Sequence, residues 1–267
     1  MRSNGHLRSF LPMLAIFIMA ACGGAGSATI PITDPEAPTT MTSLFGGTLE
    51  ADGQRVIRDA KPEDLEKLSA QAGARLETVH FKTLTIEGGP TLVFHATYAY
   101  VNGVRSDCRA CDMTLSATAY TKKEDGTWEQ QAFEPYFAVV SAANEVLPVE
   151  ALSIGSGRWL LQHESCWCGA GGDCMCLTRW CALEKDPAWF KPLLSQEFHY
   201  SHEDEKSSYA EGLTASVVSS SKSYPDLEIM HTYSETPMRR NAKTKTREEK
   251  SRFSFDADQR AYVAATP

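Results

Sequence analysis

Hydrophobic and polar positions alternate with a period of two over much of the chain after residue 75. Met113, Leu115, Ala117 and Ala119 share one parity; Thr114, Ser116, Thr118 and Tyr120 share the other. Successive side chains of a strand point to opposite faces, so this stretch predicts a strand with one face in a core. Leu92, Phe94, Ala96, Tyr98 and Tyr100 repeat the pattern across 91–101, which closes on Asn102-Gly103, a strong hairpin pair. Further strands are predicted over 76–86, ending at Gly88-Gly89-Pro90, and over 127–140, 153–163 and 226–233. Phe253–Phe255 and 260–264 flank Asp256-Ala257-Asp258-Gln259, another hairpin signal.

Helical signals are few. Lys61-Pro62-Glu63-Asp64 opens one at 62–72, with Pro in the first turn, acids at the N-terminus, and Gly73 as the stop. Asp186-Pro187-Ala188-Trp189 suggests a second helical turn, running to about Leu194. The expected fold is mainly β (α+β): an antiparallel sheet or sandwich with one or two short helices, cross-linked by disulfides. It occupies residues 44–267 as one domain, with a division near 200–212 as the alternative.

The N-terminus breaks the alternation. Arg2 and Arg8 precede Phe10–Ala21, an apolar run of 12 residues, too short to span a bilayer and suited to a signal-peptide core. It ends in Met19-Ala20-Ala21-Cys22. This resembles the lipobox of bacterial lipoproteins: an aliphatic residue, two small residues, then cysteine. The resemblance implies removal of residues 1–21, a lipid on Cys22 (including palmitate-type acyl chains), and localisation by that anchor to a membrane. Gly23, rather than Asp, implies the outer membrane if the source has two membranes. The resemblance covers only these first residues.

Residues 22–43 then read as a lipidated, flexible tether. Small residues, Pro and Thr dominate, without an apolar period, and an extended Pro-rich chain of that length reaches about 65 Å. A strand built on Ile30-Pro31-Ile32 is the weaker reading, because Pro interrupts it.

Charge narrows the partners. The chain carries a formal −8; the leader holds two Arg and no acid, so the remainder stands at about −10. Such a surface repels nucleic acid and anionic lipid, leaving the anchor as the membrane contact and an envelope protein as the candidate partner.

Candidate chemistry lies mainly in the eight cysteines. Besides Cys22 these are Cys108, Cys111, Cys166, Cys168, Cys174, Cys176 and Cys181. After export, disulfides form and persist, so all seven are bridge candidates. Cys166–Cys168 and Cys174–Cys176 close rings too small to favour, so bridges between the two C-x-C arms, or from Cys108 and Cys111 to the cluster, are expected. Seven is odd, so one thiol is left over. The alternative is a soft-metal site for Zn or Cu using His163, Cys166, Cys168, Cys174 and Cys176. Cys108-x-x-Cys111 as a redox motif lacks a βαβ context.

His199 and His202, three apart, could share an ion on a helix, but the flanking serines and charges favour a solvated loop. Gly155-Ser156-Gly157 is not a nucleophile elbow, His163-Glu164 lacks the second His of a zincin, and no phosphate-binding loop is present. No catalytic residue and no cofactor are therefore predicted. The basic run Arg239–Arg247 reads as a loop between strands, and Tyr98, Tyr100, Tyr233 and Phe255 as core or cross-strand pairs. The resulting expectation is a membrane-anchored, exported envelope protein with a binding or structural role, more a non-enzyme than an enzyme; the alternative is a soft-metal-binding lipoprotein.

Overall fold

The computed structural model describes residues 32–265, apart from 68–72, 102–103, 106–111, 142–148, 169–173, 204–205, 219–221 and 240–242 and some side chains bordering them. Cys22, Cys108, Cys111 and the side chain of Cys168 lie outside the described residues.

Chain order begins with α1 (Pro38–Phe45), β1 (Thr48–Leu49), β2 (Arg55–Asp59) and α2 (Pro62–Lys67). Long strands follow: β3 (Arg75–Thr85), β4 (Thr91–Val101), the short β5 (Val104–Arg105), β6 (Asp112–Lys122) and β7 (Trp128–Ser141). The second half holds β8 (Val149–Gly155), β9 (Arg158–Cys168), β10 (Cys174–Ala182), β11 (Pro192–Glu203), β12 (Ser207–Val218), β13 (Asp226–Pro237), β14 (Lys245–Asp256) and β15 (Ala261–Ala264).

All the pairing is antiparallel. The first sheet runs β1-β2-β3-β4-β6-β7, with β5 on β4; the second runs β15-β14-β13-β12-β11-β10-β9-β8. The mainly β, antiparallel fold with two short helices therefore stands as expected. The predicted alternations are strands: Leu92, Phe94, Ala96, Met113, Leu115, Ala117 and Ala119 all enter one core.

That core lies between the sheets, where β4 and β6 meet Val149, Leu161, Cys181 and Leu183 from the second sheet. Neighbouring residues on one strand feed different cores. Leu161 faces the first sheet, whereas Leu160 joins Trp180, Leu193, Phe198, Leu213, Leu227, Ile229 and Phe253 in a second core. Every residue of this second core comes from the second sheet or its connections, so that sheet curls around its own concave face, bringing β11 near β15.

Several expectations change at this point. The stretch 153–163 is not one strand but a hairpin: Gly155, Ser156 and Gly157 have φ of 88°, 55° and 70° and turn β8 into β9. No helix follows Asp186; bends and a turn there lead to β11 at Pro192. His199 lies within β11, not in a loop, and residues three apart on a strand face opposite ways. Strands β11 and β12, not a linker, occupy the 200–212 region.

The helix missed is α1. It holds residues 38–43, placed above in the tether, and Ile32 already pairs with Trp128 of β7. From Ile32 onward, then, the chain is docked. Met41 and Phe45, one helical turn apart, bury against Val56, with Leu44, Leu49 and Phe133 alongside. Gly46 and Gly47 end the helix at φ of 71° and 93°; a Cβ on Gly47 would lie 2.4 Å from the Ile57 carbonyl oxygen, so only glycine fits. α2 is fixed by Asp64, which accepts two bonds from the Arg58 guanidinium at 2.6 and 2.8 Å and one from the Tyr136 hydroxyl at 3.0 Å.

Candidate functional site

The cysteine cluster folds as the β9–β10 hairpin. Its register sets Cys166 opposite Cys176 and Cys174 opposite Cys168. Cys166 and Cys176 are joined by a disulfide, with Cα atoms 4.1 Å apart. Cys174 is disulfide-bonded as well. A bridge between the two C-x-C arms is therefore present, and the C-x-C spacing follows from strand geometry: residues two apart share a face.

Parity also separates the remaining candidates. Cys181, a bridge candidate by sequence, carries a free thiol buried in the inter-sheet core, on the face of β10 opposite Cys176. Burial pushes that thiol up to about 12, so it stays protonated. His163 is likewise odd-numbered on β9 and packs 4.1 Å, centroid to centroid, from the Phe137 ring of the first sheet. The fold thus turns it away from Cys166, and among the described residues no group of three metal-ligating side chains forms. The donor set proposed for Zn or Cu is not brought together: two of its thiols are bonded to each other, and its imidazole faces the other core.

In the native protein, Cys181 should resist an alkylating reagent for hours, then react once denaturant is added without reductant. Rapid labelling of the folded chain would contradict its burial.

A cleft lined by charged groups of the second sheet lies where its turns converge. Arg158 opens β9, Tyr224 precedes β13, Phe255 sits on β14, and Arg260 ends the β14–β15 turn. They line about 450 Å³ together with Asp186, Lys222 and Ser223. Arg158 donates through Nε and Nη2 to Glu184, at 2.9 and 2.6 Å. Its Nη1 donates to the Ser223 carbonyl at 2.8 Å, and its guanidinium lies 4.1 Å over the Tyr224 ring. Tyr224 stacks on Phe255 at 4.1 Å, and its hydroxyl donates to Glu184. Burial, then the Glu184 carboxylate, raises the Tyr224 phenol, which therefore remains a donor rather than a base. Glu184 in turn raises Arg158.

At the rim, Arg260 pairs with Asp186 and Lys222 with Asp226, while Arg252 holds Asp226 from the other side at 2.7 Å. Lys222 first, with Arg252 behind it and against the cost of burial, lowers the Asp226 carboxyl to about 2. The cleft offers a ligand a rigid aromatic and guanidinium floor under a rim of exchangeable ion pairs. Sequence reading missed it because Arg158, Glu184, Tyr224 and Phe255 come from four separate segments with no shared motif.

No protein-family model matches the chain, and no curated protein and no solved structure is similar to it.

Proposed function

We propose that this is an exported, lipid-anchored protein of the bacterial envelope whose β scaffold binds a partner or supports structure rather than transforming a substrate. The observation that carries the anchor is the apolar run ending in Met19-Ala20-Ala21-Cys22. The binding role is supported by the floor of the second-sheet cleft, where Arg158, Glu184 and Tyr224 satisfy one another and form a preorganised recognition surface. The disulfide-bonded β9–β10 hairpin fits an oxidising compartment.

With the domain docked from Ile32 onward, the leash from Cys22 is about 10 residues, and its extended reach falls to roughly 30 Å. The domain then works close to the lipid surface. The test is Cys22→Ala expressed in a lipoprotein-processing bacterium. The expected result is a precursor that keeps residues 1–21, carries no acyl mass, and is lost from the detergent-extracted mature fraction. Normal cleavage before residue 22 and unchanged membrane attachment would overturn the anchor.

A further inference from the structure

The outer face of the first sheet is buried yet polar. His95 on β4 pairs in register with Ser116 on β6, and Thr97 pairs with Thr114. Each of these four is at most 5% exposed. Thr97 bonds Thr78 at 2.9 Å, but both ring nitrogens of His95 and the hydroxyls of Thr114 and Ser116 have no hydrogen-bond partner. Thr118 and Tyr120 add two further fully buried hydroxyls to this face. Buried polar groups in this state favour any conformation that hydrates them.

What lies over them is α1. Phe45 packs edge-on to His95 at 5.3 Å and to Phe133 of β7 at 5.5 Å. In the sheet, β6 lies between β4 and β7, so Phe45 crosses β6 at Ser116 and Thr118, the residues registered with His95 and Phe133. The cover is lightly held. Its apolar contacts to the sheet are made by the side chains of Met41, Leu44 and Phe45. Its hydrogen bonds turn inward: Thr42 and Ser43 hydroxyls bond carbonyls of Pro38 and Thr39, and Thr40 bonds Asp34.

A cavity of about 560 Å³ flanks Pro38 and Met41, and another of about 250 Å³ flanks Leu44 and Phe45. An isolated helix of eight residues does not persist in water, so α1 either docks or unravels. Gly46-Gly47 marks where unravelling stops, because β1 beyond it is paired to β2.

We propose that residues 32–45 form a releasable strap: α1 unravels up to Gly46-Gly47 and uncovers a polar face centred on His95, Ser116 and Thr118. In the anchored protein, where the anchor rests on the lipidation proposed above, release also breaks the Ile32–Trp128 pairing and lengthens the leash from roughly 30 Å to roughly 80 Å. One event thereby changes both the exposed surface and the height above the membrane.

The experiment uses the mature full chain in detergent, its Cys22 mass read on the same sample so that the anchor and the strap are judged separately. Amide exchange is followed by mass spectrometry, beside the rate at which diethyl pyrocarbonate modifies His95. Residues 39–46 should exchange at least 100-fold faster than the centres of β4 and β6, and His95 should react at a rate set by that opening.

Phe45→Ala should raise both rates by the same factor. Ser116→Ala with Thr118→Val, which removes the polar floor, should lower both about 10-fold while leaving the second sheet unchanged. Exchange of α1 as slow as that of β6, or a His95 that stays unreactive while α1 exchanges freely, would overturn the strap. Rates indifferent to the Ser116 and Thr118 changes would overturn the role of the polar face.

Discussion

Trp180→Ala should lower the unfolding free energy by about 3–5 kcal/mol, the range for truncating a fully buried aromatic side chain. Trp180 is 0% exposed and is among the largest side chains of the second core. It sits on β10 opposite Gln162 and Leu194, packed in a cluster with Leu160, Leu193 and Phe198. Its Nε1–H donates to Gln162 Oε1 at 2.9 Å, so the ring has one polar edge satisfied and the rest in apolar contact.

Domains of this kind are stable by only about 5–15 kcal/mol, so the variant should lose about a fifth of the total or more. Trp180→Phe separates the two contributions. It keeps most of the apolar volume and removes the indole donor, for an expected loss of about 1–3 kcal/mol. Urea titration followed by circular dichroism reads both. A loss below about 1 kcal/mol in the alanine variant would mean that the concave face of the second sheet is not a packed core.

Acidification from pH 7.5 to 5 should destabilise the protein by several kcal/mol, through two imidazoles kept neutral. Burial holds His163 down at about 3, reinforced by Arg179, and holds His95 down at about 4, reinforced by His80. In the unfolded chain both titrate near 6.5. A folded value below the unfolded one means that the unfolded state binds protons first as pH falls. The stability is therefore complete above about pH 6.5 and is lost on the way down to about 4 for His95 and about 3 for His163.

pH 5 lies about 1.5 pH units below the value at which both imidazoles titrate in the unfolded chain, worth about 2 kcal/mol apiece. Glu164 opposes them, because burial and then Glu150 raise its carboxyl, so its protonation at low pH favours the fold. The diagnostic is therefore a difference. His163→Leu keeps the volume beside Phe137 and removes one proton site, so it should recover about 2 kcal/mol at pH 5 relative to its own change at pH 7.5. Melting temperatures of both proteins at the two pH values decide it. A wild-type melting temperature that stays flat across this range would rule out neutral, buried imidazoles.

The strands were legible in the sequence because burial on one face leaves a period-two record, as at Met113–Ala119. The β8–β9 turn was harder to place, since Gly155-Ser156-Gly157 sits inside a run that is apolar on both sides. α1 left little record. PTTMTSLF has Pro, four hydroxyl-bearing residues around Met41 (Thr39, Thr40, Thr42 and Ser43), and no acidic cap, and its two buried anchors are too few to set a period.

The pairing of the cysteine arms became readable only with register. Once Cys166 and Cys176 face each other, the even numbers on both strands share one side, and His163 and Cys181 must take the other. The cleft at Arg158 could not be read from the sequence, because its residues are tens of positions apart and only the convergence of four strand connections brings them together.

The strand order has a consequence for how such a chain reaches its structure. From β8 to β15 every strand is bonded only to its immediate predecessor and successor, and the first sheet departs from that order only at β5. A polypeptide that emerges N-terminus first can therefore add each of these strands to a finished edge, without waiting for a distant sheet partner. Low separation between contacting residues also favours rapid assembly. The exceptions include the Ile32–Trp128 bridge, the packing of β4, β6 and β7 against the second sheet, and the contacts of β11 with β15, so closure of the two cores waits for β9 and β10 and then for β15. A chain stalled after β13 would hold a completed first sheet beside a second sheet still lacking β14 and β15. In this fold, the order of strands along the chain is also their order across each sheet, β5 aside.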